Sequence, residues 1–99
     1  MAHCLLSLDI KGVSVEQRRV FYAGLCDQEW EKFEDVDTTW AKVCREDLTE
    51  FKRQLGTMLK DAAKAAKAEH VSFVVQVGDR TPCVGEVRKV EGVYRFNIE

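Results

Sequence analysis

Proline is nearly missing from this chain. Pro82 is the only one among 99 residues. There is no Pro/Gly/Ser-rich linker, no internal repeat and no low-complexity stretch, so the chain reads as one domain. Long apolar runs are also lacking. The run at Cys4-Leu5-Leu6 is broken by Ser7 and closed by Asp9, and no basic segment precedes it. The start is therefore expected to be neither a secretory signal nor a membrane span, which needs about 20 apolar residues. No membrane partner is expected. Neither sign of charge dominates: 15 basic against 17 acidic residues leave a net charge of −2. That excludes a general basic binder of duplex DNA or anionic lipid, whose affinity comes from clustered Lys and Arg. The four cysteines, Cys4, Cys26, Cys44 and Cys83, include no Cys-x-x-Cys pair. A structural zinc site is not expected. They read as free, mostly buried thiols of a cytoplasmic protein. There is no phosphate loop, no Gly-x-Gly-x-x-Gly and no Ser–His–Asp text.

What is present is an ordinary globular composition, 45% hydrophobic and 32% charged. Residues 2–10 alternate, with Cys4, Leu6, Leu8 and Ile10 on one side of a strand and His3, Leu5, Ser7 and Asp9 on the other. Ser14 and Gln17 spell a capping box. They open a helix over about 15–26, with Phe21 and Leu25 on its apolar stripe. Residues 27–35 are acidic and interrupted, and suit a loop or an irregular strand start. A second strand is predicted over 36–44. The second helix carries Glu46, Asp47 and Glu50 at its start and Lys60, Lys64 and Lys67 toward its end, as the helix dipole favours. Leu48, Phe51, Leu55, Met58, Leu59, Ala62 and Ala66 keep a helical period along it. His70 to Val77 alternates as a strand, and 84–90 with 93–98 form a hairpin turning at Glu91-Gly92.

The order is β-α-β-α-β-β. It predicts an α+β, ferredoxin-like two-layer sandwich, with two helices on one face of a four- or five-stranded antiparallel sheet. Two pairings stay open for the central ββ element. Either 28–34 and 36–44 form one bent hairpin, or 70–77 pairs with 84–90.

Asp9 is the most suggestive side chain, because it stands at the end of a buried strand beside a helix start. A carboxylate there is a candidate ligand for Mg²⁺, strengthened if a symmetric dimer doubles it. Lys11, Arg18, Arg19 and Lys42 are candidates for a local basic patch that positions an RNA backbone. Trp30, Phe33 and Trp40 offer either a base-stacking platform or core. His3 and His70 have no spacing to a cysteine that demands a nucleophile pair.

The residues Leu8-Asp9-Ile10, a helix with Arg18, Arg19 and Phe21, and the strand text Thr38-Thr39-Trp40 resemble small ferredoxin-like nuclease-related proteins. That group includes the small subunit of CRISPR adaptation complexes and certain toxin–antitoxin endoribonucleases. The resemblance covers residues 3–44 by motif. It implies a small dimeric nuclease-like protein, with Asp9 as catalytic metal ligand and Mg²⁺-dependent cleavage of RNA or DNA in a bacterial defence or toxin–antitoxin setting.

The residues also allow a non-catalytic reading, a dimeric interaction or regulatory module. Its contacts would be the acidic stretch 27–37 and the hairpin 84–98, meeting a basic protein partner by charge complementarity or strand addition. Either reading expects a homodimer. A sheet covered on one side leaves Leu5, Trp40 and Val74 needing cover, and these are the expected interface.

Overall fold

A computed structural model describes residues 2–33 and 38–99. Strand β1 is Ala2–Ile10, helix α1 Val15–Asp27, β2 Glu31–Lys32, β3 Thr39–Cys44, α2 Leu48–Ala66, β4 His70–Val77, β5 Cys83–Val90 and β6 Val93–Ile98. The strands form one open sheet in the order β2-β3-β1-β4-β5-β6. Every neighbouring pair is antiparallel. The described residues thus hold six strands, where the sequence predicts four or five. The extra strand is β2, whose two residues are too few to show an alternation. Both of the pairings left open by the sequence occur together: β2 pairs with β3, and β4 pairs with β5. Val36, the expected first residue of the second strand, lies outside the described residues, and β3 runs from Thr39.

Period-two alternation decides which side of the sheet is packed. Cys4, Leu6, Leu8 and Ile10 of β1 are buried while their neighbours are exposed. Trp40 and Cys44 on β3, Val71, Phe73 and Val75 on β4, and Val87 on β5 bury the same face. The helices complete this core. Phe21 and Leu25 come from α1; Phe51, Leu55, Met58, Leu59, Ala62, Ala63 and Ala66 come from α2. The Ser14–Gln17 capping box forms as the sequence predicts. The amide of Gln17 does more: it donates to the Ala66 carbonyl at 3.1 Å, tying the start of α1 to the end of α2.

Two features hold strands together at specific places. Gly85 leaves room for an aromatic stack: a Cβ there would sit 2.5 Å from the Phe73 ring and 2.4 Å from the Asn97 carbonyl oxygen. The Phe73 and Phe96 rings stack at 5.6 Å between centroids. Cys4 and Cys44 are joined as a disulfide, which corrects the expectation of four free thiols. The register explains why. Cys44 faces Ala2 and Cys4 faces Lys42, so the two sulfurs are diagonal neighbours on the buried face, with Cα atoms 6.4 Å apart. Sequence spacing carries no hint of strand register. Cys26 and Cys83 remain free.

The disulfide closes a separation of 40 residues. Reducing it is expected to lower the unfolding free energy by about 3–4 kcal/mol through the entropy of the unfolded chain, read as a lower melting temperature in dithiothreitol. Glu50 gives a pH test. Its carboxylate accepts from Arg53 Nε at 2.9 Å and from Gln54 Nε2 at 3.2 Å. The Arg53 guanidinium, helped by Gln54, holds it down from an ordinary 4.5 to about 2. A carboxyl depressed on folding stabilises above its ordinary range, and that contribution fades as pH falls toward its folded value. The stability gap between wild type and Glu50→Gln should therefore shrink progressively in denaturant titrations run from pH 6 down to pH 2.

Candidate functional site

Asp9 is the last-but-one residue of β1 and faces Ser72 of β4 on the side of the sheet away from the helices. The chain then turns through Lys11-Gly12, with Gly12 at φ 61°. That turn folds Lys11 back, and its Nζ donates to Asp9 Oδ2 at 2.6 Å. Both side chains are more than half exposed. The Lys11 ammonium holds the Asp9 carboxyl below the usual carboxylate range, with weaker help from Arg18 and His70. An exposed pair of this kind fixes one local geometry and adds little to stability. Among the described residues, no group of three or more His, Cys, Asp or Glu side chains could hold a metal ion. A single carboxylate already paired to an ammonium is a poor donor set for Mg²⁺, which demands octahedral oxygen ligation. Within one chain the residues do not fit that ion.

The four expected basic residues are not brought together. Lys11 is engaged with Asp9, and Arg19 pairs with Glu16 at 2.7 Å. Arg18 stands near enough to act on Asp9. Lys42 faces Cys4, five residues from Asp9 along β1, which is about 17 Å of strand. Alternation also puts Lys42 on the helix side of the sheet, in the column of buried Cys4. It lines an open cleft of about 990 Å³ between the end of α1 and the edge of β3, together with His3, Cys26, Glu29, Trp30, Arg45 and Glu46. The cleft mixes both signs of charge.

The expected interface trio divides in the same way. Leu5 and Val74 do lie on the open face, 44% and 42% exposed. Trp40 does not. It faces Leu6 rather than Leu5, is 1% exposed, and packs edge-on against Tyr22 at 5.1 Å. Its Nε1 is buried with no hydrogen-bond partner among the described residues. The stacking platform is likewise dismantled. Trp30 is buried against Phe51, and of the three aromatics only Phe33 is exposed. Cys4 and Cys44 are bonded to each other, so neither is a nucleophile beside a histidine. His70 sits instead beside Glu86 at 3.6 Å.

Sequence reasoning missed Val43 and Val84, which extend the open-face patch. The register assembles it across four strands. Val43 faces His3; Ala41, Leu5 and Gln76 form one row; Thr39, Ser7, Val74 and Val84 form the next. None of these nine side chains carries a formal charge at neutral pH, with His3 neutral. Charge stands at the margin, at Glu31 beside Ala41, at Asp9 and at the Glu86–Arg88 pair. Parity within each strand was available in the sequence; which outward positions become neighbours was not.

If the Lys11 ammonium sets the Asp9 titration, Lys11→Met should raise the Asp9 pKa toward its ordinary value of 3.8, read from the side-chain carboxyl shift by NMR. Compared with protein-family models, with curated proteins and with solved structures, the chain has no match.

Proposed function

We propose that this domain is a non-catalytic interaction module that works as a homodimer through the open face of its sheet. The observation that carries this reading is the uncharged patch around Leu5, Val43, Val74 and Val84, set within a charged rim. Depletion of charge at the centre and polarity at the margin is the compositional mark of an interface. An uncharged patch also meets a second copy of itself without like-charge repulsion, which a two-fold contact requires. The order β4-β1-β3-β2 with one helix after β1 and one after β3 supports a ferredoxin-like two-layer sandwich, extended by the β5–β6 hairpin.

The hydrolytic reading rests on Asp9 alone. Its exposed, Lys11-paired carboxylate gives that reading less support than the patch gives to association.

Sedimentation or light scattering should give twice the 11.3 kDa chain mass. Leu5→Lys and Val74→Lys should each raise the dimer dissociation constant by about tenfold or more, since each places an unpaired charge in a desolvated centre. Their circular dichroism should stay unchanged. A wild-type monomer at several hundred micromolar would overturn the proposal. A parallel assay with labelled RNA and DNA in Mg²⁺ should show no cleavage. Cleavage that disappears in a folded Asp9→Ala variant would put the hydrolytic reading in its place.

A further inference from the structure

Among the described residues, strand β6 ends the sheet and is paired on one side only. Its hydrogen-bonding phase follows from the hairpin. The turn has two residues, Glu91 and Gly92, both at positive φ, so Val90 and Val93 form the hydrogen-bonded pair that closes it. Pairs then alternate along the ladder. Val93, Arg95 and Asn97 direct their amides and carbonyls at β5, while Tyr94, Phe96 and Ile98 direct theirs at the free edge. Two bonds agree with this phase. Glu99 N donates to the Val84 carbonyl at 3.0 Å, and Lys89 N, opposite Tyr94, donates away from β6 to Glu69. Natural sheets blunt such edges with proline, bulges or very short strands. β6 is six residues long and contains no proline.

The groove beside this edge is basic. It is lined by Lys52, Arg53, Gly56 and Lys60 of α2 and by Tyr94 to Asn97 of β6, and measures about 540 Å³. Among the described residues, no acidic side chain lines it. Arg53 is engaged with Glu50, but among the described residues Lys52, Lys60 and Arg95 have no carboxylate within 4.0 Å. Gly56, between the two lysines, lets α2 rest on Phe96 at the floor of the groove: a Cβ there would sit 2.8 Å from the Phe96 ring. Lys52 and Lys60 lie eight residues apart, about 12 Å along a helix. Carboxylates four residues apart on an extended chain are spaced by about 13 Å.

We propose that the β6 edge and the Lys52–Lys60 groove bind an acidic peptide segment in extended form, added to the sheet as a seventh strand. The main chain of the peptide pairs with Tyr94, Phe96 and Ile98. Its alternate carboxylates, all on the helix side, meet Lys52 and Lys60. Main-chain pairing supplies affinity and the alternate side chains supply selectivity. A nucleic-acid backbone fits less well, because phosphates only accept hydrogen bonds and would leave the outward carbonyls of β6 unmatched. This surface is separate from the uncharged open face and does not rest on dimer formation.

The test is fluorescence anisotropy with a labelled eight-residue peptide of alternating valine and glutamate, capped at both ends. Its lysine-for-glutamate counterpart and a single-stranded RNA eight-mer serve as the other probes. The acidic peptide should bind, weaken as NaCl rises, and lose affinity about tenfold or more to Lys52→Glu/Lys60→Glu. Amide shifts in the NMR spectrum should centre on Tyr94, Phe96 and Ile98, and replacing the two central valines by proline should abolish binding. Leu5→Lys should bind the peptide as wild type does, which separates this proposal from the dimer. Equal binding of the lysine peptide, tighter binding of RNA, undiminished binding to a folded double variant, or shifts confined to the Leu5–Val74 face would each overturn it.

Discussion

The burial of alternate side chains on one strand governs this molecule. β1 is flanked on both sides, by β3 and β4, and sends Cys4, Leu6, Leu8 and Ile10 into the core. A one-residue slip in either pairing would turn that whole set toward water. At roughly 1.5–3 kcal/mol for each large apolar side chain fully buried, no surface contact competes with that cost. The helices, the disulfide and the aromatic stack all lie on the side that β1 selects. The opposite side is left open as a consequence.

The same constraint separates two surfaces of different character. The outward residues of β1 and its neighbours make an uncharged patch around Leu5 and Val74. The far edge of the sheet is different, because α2 lies over β6 and brings lysines beside unpaired backbone groups. Gly56 and Gly85 make that arrangement feasible. One lets the helix settle on Phe96, and the other lets Phe73 reach it. Glycine weakens a helix or strand by about 0.5–1 kcal/mol relative to alanine. Here each makes room for a close approach that a methyl group would block.

Asp9 shows how a suggestive position differs from a site. Its placement at a strand end invites a metal, yet the two-residue turn that follows delivers an ammonium to it at 2.6 Å. The lysine that answers the carboxylate is its near neighbour in sequence. A catalytic arrangement would need donors from other elements, and the sheet register sends Lys42 to the far end and to the other face.

By itself the sequence determined the elements and their inner faces: the alternation of 2–10 and 70–77, the Ser14–Gln17 cap, the long amphipathic second helix and the Glu91-Gly92 hairpin. These are local properties, set by side-chain period and by turn chemistry within a few residues. The tertiary structure alone decided which columns became neighbours. Register joined Cys4 to Cys44, placed Trp40 over Leu6 and inside the core, and spread Val43, Leu5, Val74 and Val84 into one patch. It also admitted β2, whose two residues carry no periodic signal. Pairing depends on contacts between residues distant in the chain, whose energy is absent from any local window of sequence.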